Sequence, residues 1–199
     1  HRDLHSFPTR RSSDLLKKQR YEEAKETIER ALRQEIPTGK NMEEMKERLY
    51  YRSQLIRSRE NIYLETDPMK ADEANLLLQY LLAPQQPYSL FAIGKYFFCK
   101  KEYEASCIIL ENAFLHLPDN GEVSILLARS YAHLTKTNPE RYHFYLSRIV
   151  YFLNKSAKFR SLPPSLQALG SWPEFDEKLT SFPGIQEIFI RSKKKYREE

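Results

Sequence analysis

The chain has little glycine, only two cysteines and one tryptophan among its 199 residues. No window approaches the roughly eighteen consecutive apolar residues that a membrane-spanning helix requires. A transmembrane segment is therefore not expected, and a cytoplasmic location is the working expectation. Cys99 and Cys107 have no second cysteine pair or histidine at metal-ligand spacing, so they are expected as free, buried or half-buried thiols and not as a metal site. The five glycines form no phosphate-cradling loop. His116, His133 and His143 are separated by turns and accompanied by no acid pair. No catalytic residue, cofactor or metal is expected. Charge of one sign is lacking too: 32 basic against 27 acidic side chains leave a net charge of +5, too mild for a nucleic-acid-binding signature.

The opening HRDLHSFPTRRSSDL has no helical or strand periodicity. His1-Arg2-Asp3-Leu4 matches the start of the protein-kinase catalytic loop, but the metal-binding Asn, the Gly-rich strand pair and the DFG that the loop needs are missing. Back-translated with suitable codons, the stretch resembles a common short-read sequencing adapter. Residues 1–15 are accordingly set apart as a non-native segment, with the native N-terminus expected to be missing. Subtracting their three Arg and two Asp leaves a net charge of +4.

Hydrophobic residues make up 41% of the chain, enough to pack a core in a protein of this size. Proline is frequent, at eleven residues, and Pro37, Pro68, Pro84, Pro118, Pro139 and Pro183 stand between helical patterns. A helix interior needs the N–H that proline lacks, so these are stops and starts. The fold class is all-α with short connections.

The helices repeat. Leu90, Ile93, Gly94 and Phe97 recur 34 residues later as Ser124, Leu127, Ala128 and Tyr131. Tyr103, Ser106, Leu110 and Ala113 follow in phase and lead to Pro118. This spacing, clearest in YSLFAIGKYFFCKKEYEASCIILENAFLHLPDN, resembles the tetratricopeptide repeat. The resemblance implies a right-handed α-solenoid of helix-turn-helix units over residues 16–157, with the best copy at 87–120 and C-terminal capping helices with a basic tail at 158–199. Small residues at Gly94, Ser106 and Ala113 let antiparallel helices approach, while Ile93, Phe97, Leu110 and Phe114 interlock around them.

Tyr21, Ala24, Ile28 and Ala31 stand 82 residues before Tyr103, Ser106, Leu110 and Ala113 and form the second helix of an earlier copy. Asn41 with Glu44 is a capping-box candidate. Met45, Leu49, Leu55, Ile56 and Ile62 continue an apolar stripe, and Asp67-Pro68 is expected to start a helix that Pro84 ends. After Tyr131 the turn is expected to lengthen by several residues before Asn138-Pro139. Ser171 with Glu174 reads as a helix cap, and Trp172, Phe175, Leu179, Ile185, Ile188 and Phe189 as the cover of the last apolar face.

In the family, first helices of successive repeats line a concave groove for extended peptides or helices. By that resemblance the groove here presents Tyr88, Phe91, Lys95 and Phe98, then Glu122, Ile125 and Arg129. A protein or peptide partner is implied, unless the C-terminal helices or the long helix at 41–64 fill the groove. Some members grip a C-terminal carboxylate with a Lys-Asn-Arg clamp; Phe91 and Lys95 stand where its first Lys and its Asn belong, so the resemblance does not extend to that clamp. The alternative is a nucleic-acid binder using RYHFYLSRIVYFLNKSAKFR and RSKKKYR. Against it, Leu146, Ile149, Val150 and Leu153 make a core stripe of the first segment.

Overall fold

Every regular element among the described residues is helical; in this computed structural model those residues are 20–33, 42–82 and 86–198. The opening stretch 1–15, the Asn41 cap and the Pro84 stop lie outside them. The chain divides into two compact units, His1–Gln85 and Gln86–Glu199.

In the first unit, α1 (Tyr21–Arg33) pairs with the long α2 (Met42–Thr66). Ala24 and Ile28 are fully buried against Leu55 and Ile62, with Tyr21 and Ala31 partly buried beside them, so the stripe expected for α1 is its packing face. Leu49 departs from the expected α2 stripe and is 53% exposed. Asp67-Pro68 does not start the next helix. Pro68–Lys70 is a single 3-10 turn, and α3 (Glu73–Leu82) begins after Asp72, whose Oδ1 accepts the Ala74 N–H at 2.9 Å. This turn is anchored by a carboxylate. Glu60 is fully buried, accepts the Asp72 N–H at 2.7 Å and is paired with Arg59 at 2.7 Å. A buried charge is tolerated only when it is paired and hydrogen-bonded in this way.

In the second unit, α4 (Pro87–Cys99), α5 (Tyr103–His116), α6 (Gly121–Thr137) and α7 (Tyr142–Lys158) pack in sequence. They are followed by α8 (Leu166–Gly170), α9 (Glu177–Thr180) and α10 (Pro183–Glu198). Leu110, Ala113, Leu127, Ala128, Ile149 and Leu153 share one core with Leu169, Phe175, Leu179, Ile185, Ile188 and Phe189. Residues on both sides of the expected 157/158 boundary therefore belong to a single apolar cluster.

No described glycine takes the left-handed conformation that commonly closes a helix; two other residues do. Glu102 N–H bonds to Phe97 O at 2.9 Å and Lys101 N–H to Phe98 O at 3.0 Å, with Lys101 at φ 63°, a Schellman closure built on lysine. The end of α7 repeats it, with Ser161 N–H to Ser156 O at 3.0 Å and Arg160 at φ 55°. Two glycines instead sit where helices touch. A Cβ on Gly94 would lie 2.6 Å from Leu110 Cγ, and Ser106 Oγ donates to Gly94 O at 3.0 Å. A Cβ on Gly121 would lie 2.5 Å from Ser161 Cβ. Gly94→Leu is expected to overpack the α4–α5 contact and lower the unfolding free energy by about 1–3 kcal/mol in urea titrations. An unchanged midpoint would mean that α4 and α5 can separate there without loss.

Two other expectations are corrected. The extra residues after Tyr131 do not lengthen a turn; they lengthen α6, which runs to Thr137 because AHLTKT contains no breaker before Pro139. Ser171 caps no helix start. It follows α8, its hydroxyl donates to Ala168 O at 2.7 Å, and Asp176 caps α9 instead by accepting the Leu179 N–H at 2.9 Å.

Candidate functional site

The seven groove residues come from two helices, α4 and α6, that lie beside one another in the second unit. Proline at the first position of α4 and the Asn120 cap of α6 set where each face begins. Asn120 Oδ1 accepts the N–H groups of Glu122 and Val123 at 2.9 and 3.2 Å. From there the face divides into an open end and a covered end.

At the open end Tyr88 is 55% exposed and Glu122 is exposed. Together with His116, Asp119, Phe159 and Ser161 they line a cleft of about 710 Å³. Two aromatic rings and two carboxylates are thus presented to solvent around one depression. Phe91 and Ile125, further along, are partly buried against the main core, and Lys95 is half-buried.

At the covered end Phe98 is only 8% exposed. The Arg129 guanidinium lies 4.6 Å from the Phe98 ring centre and 4.7 Å from that of Trp172, held between two aromatic faces. It also makes two hydrogen bonds of 3.1 Å to the two carboxylate oxygens of Glu174. Lys136 Nζ donates to Pro173 O at 2.8 Å. Residues Trp172–Phe175 therefore occupy this end as a hydrogen-bonded turn, closed by the Phe175 N–H on Trp172 O at 3.0 Å, with Phe175 buried in the core. Tyr103, edge-on to Phe98, stacks on His133 with ring centres 3.9 Å apart. Burial, then the neighbouring Lys136 charge, holds the His133 imidazole below the usual histidine range.

Neither Glu174 nor Lys136 is legible from the sequence as part of this face. Glu174 satisfies a capping-box spacing with Ser171, and that local reading hides a tertiary ion pair. Trp172 was expected only as apolar cover, and nothing in its neighbourhood signals that it stacks on a guanidinium.

A second polar junction ties α5, α6 and α7. Tyr131 Oη donates to Glu111 Oε1 at 2.6 Å, and Arg148 pairs with the same carboxylate while lying over the Phe152 ring at 4.9 Å. Burial first, then the bond to Glu111, pushes the Tyr131 hydroxyl well above the ordinary tyrosine range. Arg148 belongs to the aromatic and basic segment of the nucleic-acid alternative, and its charge is already matched within the chain. Leu146, Ile149 and Leu153 of that segment are buried and Val150 is partly buried.

Neither cysteine is in a disulfide. Burial, then the Glu111 charge, pushes the Cys107 thiol up to about 12, whereas Cys99 is half-buried. Thiolate is the reacting form, so iodoacetamide at about pH 8 is expected to label Cys99 in the folded protein and Cys107 only after denaturation. Mass spectrometry of the native adduct checks this, and prompt double labelling would contradict the packing around Cys107. A thiol held neutral by folding also makes stability fall as pH rises beyond the unfolded thiol's range, because only the unfolded chain releases the proton.

Among the described residues no group of three or more His, Cys, Asp or Glu could hold a metal ion, and no helix is long and apolar enough to cross a membrane. No family model matches the chain, and neither a curated protein nor a solved structure does.

Proposed function

We propose that the chain is a protein-interaction module of the tetratricopeptide type, a right-handed helical-repeat array that receives an extended peptide or helix on the face of α4 and α6. It acts by binding and not by chemistry. The 34-residue recurrence and the small residues at the α4–α5 contact support the family reading. The observation that carries the functional one is the open cleft at Tyr88 and Glu122, where two of the seven expected groove residues meet solvent beside Phe159. A ring left half exposed forgoes part of the roughly 1.5–3 kcal/mol that full burial of a large apolar side chain supplies, and a partner's apolar anchor can recover it.

Selection of a displayed random peptide library on the immobilised chain tests this. Selected peptides are expected to lose at least tenfold in affinity on the Tyr88→Ala, Glu122→Lys variant and to bind with weak salt dependence. Single-stranded nucleic acid that bound instead, with a log–log salt slope of about −0.7 per phosphate engaged, would replace this reading with the alternative. Peptides indifferent to the double variant would move the binding surface elsewhere.

A further inference from the structure

We infer that the covered end of the α4–α6 face is a receptor for an acidic residue flanked by aromatic residues, occupied in this chain by its own Trp172-Pro173-Glu174-Phe175 segment, and that a partner segment of the same chemistry exchanges for it. This rests on the proposed function, since it names the chemistry of a partner for that same face.

The argument begins with how the segment is held. A cover that only had to hide apolar surface would need apolar contacts, and Leu169, Phe175 and Leu179 provide them. What surrounds Glu174 is more specific. One guanidinium meets both oxygens of its carboxylate at 3.1 Å, a pairing whose planar geometry selects a carboxylate over other acceptors. That guanidinium is itself clamped between Phe98 and Trp172. Lys136 then takes a main-chain carbonyl, Pro173 O, which is recognition of backbone and not of side chain. Arg129 reads both the carboxylate and the flanking Trp172 ring, and Lys136, on the same helix, reads the peptide carbonyl. Together the two cations read a short acidic turn, and here that turn is supplied in cis.

The segment is short and lies between two small helices, α8 and α9, each of which has its own cap: Ser165 Oγ accepts the Ala168 N–H at 3.0 Å, and Asp176 Oδ1 accepts the Leu179 N–H at 2.9 Å. The turn residues 172–174 can therefore lift away while Phe175 stays in the core and Asp176 keeps its cap on α9. The tether keeps the segment at an effective concentration on the order of millimolar, so a single short peptide competes poorly. A partner that also engages the Tyr88 end gains a second attachment and overcomes that advantage.

Trp172 is the only tryptophan in the chain and so reports this exchange directly. The probe is the synthetic peptide Ser-Phe-Pro-Glu-Phe-Asp, which copies residues 171–176 without tryptophan fluorescence. Titrated into the full chain, it is expected to shift Trp172 emission to longer wavelength saturably, at concentrations on the order of millimolar. Glu174→Gln, which weakens the resident segment, is expected to lower the half-saturating concentration at least tenfold. Arg129→Met with Glu174→Gln is expected to abolish the response, and a peptide with Lys in place of Glu is expected to give none.

The inference is overturned if neither the wild type nor Glu174→Gln responds, or if the Lys peptide acts equally well. Should Glu174→Gln fail to fold, amide exchange at 171–176 of the wild type decides: faster exchange with the Glu peptide supports the proposal, and unchanged exchange overturns it. Library peptides that depend on Tyr88, measured on the same preparations, separate the two readings. If they still bind while the copied peptide does not, only the exchange fails; if neither binds, the interaction module fails with it.

Discussion

Arg129→Ala is expected to lower the free energy of unfolding by about 3–5 kcal/mol. The loss comes less from the arginine than from the partner it leaves behind. Glu174 has a side chain only 4% exposed, against 24% for Arg129, so truncation strands a carboxylate where water cannot replace the two lost hydrogen bonds. Phe98 and Trp172 lose the group that fills the space between them as well. Arg129→Met with Glu174→Gln removes both charges and keeps similar volumes, and is expected to recover most of the loss. Urea titrations of the wild type, Arg129→Ala and the double variant make the comparison. A single variant within about 1 kcal/mol of wild type, the margin of an ordinary surface ion pair, would mean that Glu174 hydrates freely and that the covered end is loosely held.

Phe152→Ala is expected to cost about 3–5 kcal/mol. The ring is 1% exposed and meets three others, with centres 5.2 Å from Phe114, 5.0 Å from Tyr151 and 6.1 Å from Tyr131. Deletion leaves a cavity at the junction of α5, α6 and α7 and removes the face on which Arg148 rests. Phe144, on the same helix but 54% exposed, is the control, and Phe144→Ala is expected to change stability by no more than about 0.5 kcal/mol. Equal losses in calorimetric unfolding of the two variants would contradict the orientation of α7.

The contrast between Phe144 and Phe152 shows where sequence reading reaches and where it stops. Helix existence and the tight contact at Gly94 are legible because they depend on neighbours three, four or seven residues away and on one small side chain. The Phe152 ring was not singled out beside Leu146, Ile149, Val150 and Leu153, because a segment this rich in aromatics has several faces that could turn inward. Only the packing of α5 and α6 decides among them. The face carrying Phe98 and Arg129 could be located from the repeat register, and the C-terminal helices were among its expected covers, yet the polar pairing that holds them there could not be read. Trp172 and Glu174 lie far away in the chain, and Glu174 carried a local explanation that concealed its partner. The misplaced start of α3 has the same origin, since the buried Glu60 that holds Asp72 is distant from the proline that marks the turn.

The core that α5, α6 and α7 share with Leu179, Ile185, Ile188 and Phe189 also orders events in time. A ribosome delivers α4 to α7 first, with the side of α7 that packs on α10 still bare. The pieces that close that surface, on α10, emerge after them. The nascent unit consequently passes through an interval in which an apolar wall is complete except for its outer layer, the condition under which chaperones engage chains and misassembly begins. A stop codon or proteolytic cut before Ile185 would make that interval permanent. Loss of the C-terminal helix is thus a change in the fate of the whole second unit, decided before any partner is met.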